Sequence, residues 1–158
     1  MQKGVGTLNF IMKRKPSFRL CGFFTETSLE TCGDELHRLW EYYDGRKKEL
    51  FDLFGKRKDF YGLMWKTSDS RYCYLIGIEA DGGKGLPEGA VFKTIPAAEY
   101  AVACVSPEIS AFDAWTEFYY KALPAAGYTP NAGHDFDFEY YPNGADGIYE
   151  LWTPATRK

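Results

Sequence analysis

Two stretches near the end of the chain bring carboxylates into aromatic company. Asp135-Phe136-Asp137-Phe138-Glu139-Tyr140-Tyr141 and Ile148-Tyr149-Glu150-Leu151-Trp152-Thr153-Pro154 each set an acid among large rings. The rings supply apolar area and cation–π attraction, and the acid supplies a counter-charge. That combination suits a flat or cationic organic molecule. Glu139 and Glu150 are therefore the candidate reactive or ligand-pairing groups. Other chemistry is thin. The four cysteines, at 21, 32, 73 and 104, include no CxxC pair, which argues against a zinc site. His37 and His134 lack metal or triad spacing, and no hydroxyl sits in a nucleophile elbow. The glycine cluster Asp81-Gly82-Gly83-Lys84-Gly85 lacks Walker spacing and reads as a connecting loop. No metal and no cofactor are expected.

The elements that must position these acids follow from periodicity. Residues 1–16 read as a leader or a short edge strand. Ser17–Thr25 reads as a strand. Thr31 offers a helix N-cap, with Asp34 and Glu35 in the first turn. Leu36, Leu39, Trp40 and Tyr43 form an apolar stripe. Leu50, Phe51 and Phe54 form a second stripe after the polar Asp44–Glu49 stretch, and Gly55 closes the helical region. Phe60–Lys66 and Tyr72–Glu79 are strands. Ala90–Val105 is a long strand pattern bent at Pro96. Ser110 caps a second helix whose expected buried stripe is Phe112, Trp115, Phe118, Tyr119 and Leu123, with Pro124 as its stop. Strands around 135–142 and 148–154 finish the chain, joined by the Pro142-Asn143-Gly144 turn.

The order is β-α-β-β, loop, β-α-β-β. The halves, about 17–80 and 90–156, match in element order, and Trp40 and Trp115 occupy similar places on the two helices. The expectation is an α+β fold in one domain spanning residues 1–158. Duplicated halves form one curved antiparallel sheet, with two helices on one face and a ligand pocket on the concave side. In the penultimate strand Phe136, Phe138 and Tyr140 share one face, and Asp137, Glu139 and Tyr141 the other. The more apolar set is expected to pack on the helices, which would aim Glu139 into the concavity.

A formal charge of -3 argues against a broad nucleic-acid footprint. No run resembles a signal peptide or reaches transmembrane length, so a cytoplasmic protein with no membrane contact is expected. A hydrophobic share of 45% supports a core without disulfides.

Residues 16–155 resemble the GyrI-like small-molecule-binding family, also called the bacterial transcription-activator effector-binding domain. The resemblance is carried by Lys15-Pro16-Ser17-Phe18, Leu39-Trp40, Phe60-Tyr61-Gly62, and Tyr72-Cys73-Tyr74 through Glu79. It continues through Ile95-Pro96-Ala97-Ala98-Glu99-Tyr100, Leu123-Pro124-Ala125-Ala126-Gly127-Tyr128, Asp137-Phe138-Glu139-Tyr140 and Glu150-Leu151-Trp152-Thr153-Pro154. It implies a pocket between the halves with Glu139 as the acid that attracts cationic lipophilic compounds. The implied ligand-binding set is Glu139, Glu150, Trp65, Tyr74, Trp115, Tyr141 and Trp152. Stand-alone binding of a hydrophobic, cationic aromatic molecule is the expected function. The alternatives are a metal-free hydrolase of cyclopropane-bearing electrophiles, with Glu139 or Glu150 as its catalytic general base or water-orienting group, and an inhibitor-type module with a protein partner. Two departures from the family pattern stand out: Ala122 where many members carry tryptophan, and Val105-Ser106 where a glycine is common. No helix-turn-helix segment fits before residue 17, so direct nucleic-acid contact is not expected.

Overall fold

The computed structural model describes residues 8–82, 85–131 and 133–158. The expected leader and the expected glycine loop lie partly outside them. The described residues form nine strands and two helical segments: β1 (Phe10–Lys15), β2 (Phe18–Thr27), α1 (Cys32–Phe54), β3 (Phe60–Lys66), β4 (Tyr72–Glu79), β5 (Val91–Ile95), β6 (Ala98–Val105), α2 (Ala111–Glu117), β7 (Tyr128–Pro130), β8 (Phe136–Tyr141) and β9 (Tyr149–Arg157). All strand pairings are antiparallel, in the order β1-β6-β9-β8-β3-β4-β2-β5, with β7 on β9. The two β-α-β-β halves meet where β3 pairs β8. Each half also sends a leading strand to the other: β1 pairs β6, and β5 pairs β2. Pro16 and Pro96 mark these crossings, because proline cannot donate to a ladder. The single bent strand expected over 90–105 is thus two strands in different parts of the sheet.

Those short crossings force curvature. β5 and β6 stand six strand-to-strand steps apart in the order, about 29 Å in a flat sheet. The Pro96-Ala97 link spans three Cα–Cα steps, about 11 Å at most. The sheet therefore curls, and Phe18, Leu20, Tyr61, Leu63, Leu75, Tyr100, Phe138 and Trp152 fill its inner face. Phe138 is fully buried there. Its ring lies 5.5 Å from that of Phe18, 5.4 Å from Tyr100 and 5.2 Å from Trp152.

Both helices cover the other face. α1 buries Leu39, Tyr43 and Leu50 against Cys21, Phe23, Ile76 and Ile78. Thr31 makes no capping bond to the backbone; its hydroxyl donates to Glu35 instead, at 2.5 Å. Ser110 does cap α2, accepting the Asp113 amide at 3.1 Å. Pro124 does not stop the second helical segment. After α2 the chain runs through a π-helical turn, Phe118–Ala122, and a final turn, Leu123–Ala125. The wide turn absorbs the amide that proline lacks and the crowding its ring causes. The buried side of this segment is Ala114, Phe118 and Leu123, and Phe112 of the expected stripe is 69% exposed. Trp115 packs against that core, and both Trp115 and Tyr119 reach β8 with their polar atoms.

One orientation is the reverse of expectation. The apolar set of β8 lines the inner face of the curl, and Glu139 lies under the helices with Tyr141. Both faces are buried, so comparing their apolarity does not discriminate between them. On the helix side Glu139 meets three donors, from Tyr74, Tyr141 and Trp115.

Candidate functional site

Glu139 stands on β8 at the seam between the halves, opposite Gly62 of β3. That glycine is required by space. A Cβ at position 62 would fall 2.1 Å from the Tyr74 hydroxyl and 3.2 Å from Glu139 Oε1. Its absence lets Tyr74, one strand further on, reach over β3 and donate to Glu139 Oε1 at 2.6 Å. Tyr141, two residues along the same face, donates to the same oxygen at 2.7 Å. Trp115 Nε1–H comes down from α2 and donates to Oε2 at 2.8 Å. A further layer of rings stands behind these. Phe60 stacks on Tyr141 at 4.6 Å, Tyr149 stacks on it at 5.3 Å, and Trp40 of α1 packs edge-on at 6.0 Å.

The electrostatics of this cage are unusual. Glu139 is 3% exposed. Among the described residues, no lysine, arginine or histidine forms an ion pair with it. Burial pushes its carboxyl above the usual range, and the bonds from Tyr74, Tyr141 and Trp115 pull back. The Tyr74 and Tyr141 hydroxyls are pushed up by burial and then by Glu139, which keeps them protonated as donors. The acid is held in geometry by neutral donors, and no basic side chain among the described residues stands against it as an ion-pair partner.

A second acid shares this face. Asp137 accepts from the Tyr119 hydroxyl and from Asn131 Nδ2, the latter at 2.8 Å. Its pKa is pushed up to about 6, chiefly by burial, against the hydrogen bonds of Thr153, Tyr119 and Asn131. Sequence reasoning did not select Asp137, Tyr119 or Trp40. Strand alternation already placed Asp137 beside Glu139 and was the signal available for it.

The structure brings Glu139, Tyr74, Trp115 and Tyr141 together and sets Trp65, Glu150 and Trp152 on the opposite face of the sheet. Trp152 donates to Glu150 Oε1 at 2.8 Å and stacks on Phe138. Its ring already has cations of the chain beside it, with Lys13 and Lys15 ammonium groups each 5.7 Å from its centre. Lys93 lies 4.3 Å from the Trp65 ring. Two open clefts of about 570 and 300 Å³ flank the start of α1; their walls include Glu35 and Arg38, and neither reaches Glu139. Among the described residues, no three His, Cys, Asp or Glu side chains gather in a way that could hold a metal ion. No helix among them is long and apolar enough to cross a membrane.

Comparison with known proteins adds four findings. Residues 12–155 match the family model described as integron-associated effector binding protein. The transcriptional regulator BrlR of Pseudomonas aeruginosa is 30% identical over 130 residues, covering 80% of this chain and 46% of BrlR. A DNA gyrase inhibitor of Serratia proteamaculans is 39% identical over 67 residues, 40% of this chain and 42% of that protein. The chain thus spans less than half the length of the curated relatives it matches. The solved structure of SAV2435 bound to tetraphenylphosphonium superposes with a TM-score of 0.70 over 94% of both chains, at 16% identity. At that identity the likeness is one of fold.

Proposed function

The chain belongs to the family of integron-associated effector binding proteins, a GyrI-like group, and on that premise we propose that it binds a hydrophobic, aromatic cation in the cage around Glu139. The observation that carries this reading is a buried carboxylate whose hydrogen-bond partners are all neutral. A buried charge without a counter-charge costs free energy, and a ligand cation would supply the missing partner. Trp40, Trp115, Tyr74 and Tyr141 add ring faces that attract a cation and bury its apolar groups. Glu139 Oε2 is held by Trp115 alone among these donors, so a ligand reaches the charge by displacing that indole. The cationic aromatic ligand bound by SAV2435 supports the same class of molecule here. A transcriptional regulator and a DNA gyrase inhibitor among the relatives support a protein partner for such a unit.

Tetraphenylphosphonium and tetraphenylborate test the proposal, because they are nearly the same shape and opposite in charge. Calorimetric titration of the protein should give saturable, roughly micromolar binding of the phosphonium, about -8 kcal/mol. The borate should bind at least about 100-fold more weakly, since it meets the carboxylate with like charge. Comparable affinity for both would remove the role assigned to Glu139.

A further inference from the structure

We propose that Asp137 is a specificity-determining residue of this site, favouring flat aromatic dications over monocations of the same shape. The proposal rests on the cation-binding reading and narrows it. Asp137 and Glu139 are alternate residues of one strand, on one face, so their side chains stand about 7 Å apart. α2 and the turn after it present one aromatic donor to each. Trp115 bonds Glu139, and Tyr119, one turn on, bonds Asp137. The two rings meet edge to face at 5.7 Å, so one aromatic wall runs past both acids. Neither acid has a lysine, arginine or histidine ion-pair partner among the described residues, although six such pairs form elsewhere. Glu139 is closed off, whereas Asp137 keeps some solvent contact. A rod-like ligand would lie along β8 with one positive centre at Glu139 and the other at Asp137, nearer solvent.

Asp137 also has structural work. Asn131, at φ +59°, points its Nδ2 at Asp137 Oδ1 (2.8 Å), the Tyr119 hydroxyl (2.9 Å) and the Phe136 carbonyl (3.0 Å). A purely structural role would affect every ligand alike. A charge-pairing role would affect only the second positive centre.

Methyl viologen and 1-methyl-4-phenylpyridinium separate the two roles. They share a flat two-ring frame, and the viologen carries a second cationic nitrogen at about the acid-to-acid spacing. Calorimetry at fixed ionic strength should show the protein binding the viologen about tenfold more tightly. Asp137→Asn, which keeps an acceptor for Asn131, should weaken the viologen about tenfold more than the phenylpyridinium. Equal affinities in the unmutated protein would overturn the inference without any variant. So would a loss in Asp137→Asn that is the same for both compounds. If tetraphenylphosphonium binds and neither flat cation does, this inference fails alone; if none of the three binds, the cation-binding reading fails and takes this one with it.

Discussion

Glu139→Gln should weaken tetraphenylphosphonium binding by about 1–3 kcal/mol, roughly 5- to 150-fold, while the neutral compound triphenylphosphine oxide loses little. Glutamine has nearly the same shape as glutamate, so packing against Gly62 and the rings is retained. Its carbonyl oxygen can still accept from Tyr74 and Tyr141, as Oε1 does. What disappears is the charge, which only a cation would register. The apo protein should not suffer in proportion. Burial raises the Glu139 carboxyl pKa, so its charged form costs stability at neutral pH, and that cost is absent in the amide. One local penalty remains, because the amide nitrogen meets Trp115 Nε1–H, donor against donor. Thermal denaturation beside the two titrations checks both halves of the expectation. Equal weakening of the cation and the neutral compound would mean that Glu139 shapes the cage without pairing charge.

The neighbouring residue should behave in the opposite way. Phe138→Ala should destabilise the fold by about 3–5 kcal/mol, as expected for a fully buried aromatic truncated to alanine. Four rings lose a partner at once: Phe18, Tyr61, Tyr100 and Trp152. Against a typical total of about 5–15 kcal/mol this is a large share. The charge preference of whatever protein remains folded should persist, because Phe138 faces away from Glu139. Denaturant unfolding measures the first part and calorimetry the second. A loss under about 1 kcal/mol would mean that the inner face of the sheet is loosely filled, and the division of the molecule into an aromatic core and a separate binding face would not hold.

Much of the frame was legible in the residues themselves. β3 and β4 fall where alternation and turn residues placed them, and α1 runs to the glycine that closes it. These elements are specified locally. The exchange of β1 and β5 is a matter of non-local pairing, and nothing within a ten-residue window distinguishes the two possible partners of an edge strand. Stripe arithmetic missed the exposure of Phe112 because the buried face of α2 centres on Ala114 and Phe118, and Phe112 lies about 200° around the helix from Ala114. The orientation of Glu139 was misjudged for a related reason: strands buried on both faces offer no polar side to align with solvent. Of the seven residues expected to line the site, Glu139, Tyr74, Trp115 and Tyr141 converge. Trp65, Glu150 and Trp152 do not, because residue type identifies a ring or an acid but not the face of the sheet that carries it. Gly62 was part of the family resemblance, yet its function as the gap through which Tyr74 reaches Glu139 depends on three strands lying side by side.

The most direct measurement is a crystal structure of the protein with tetraphenylphosphonium. The phosphorus should lie within about 6 Å of ring faces of the Glu139 cage, next to the carboxylate, with the Trp115–Glu139 hydrogen bond broken. A cation seated instead on the Trp65 and Trp152 face, with Trp115 still bonded to Glu139, would contradict the assignment of this cage as the binding site.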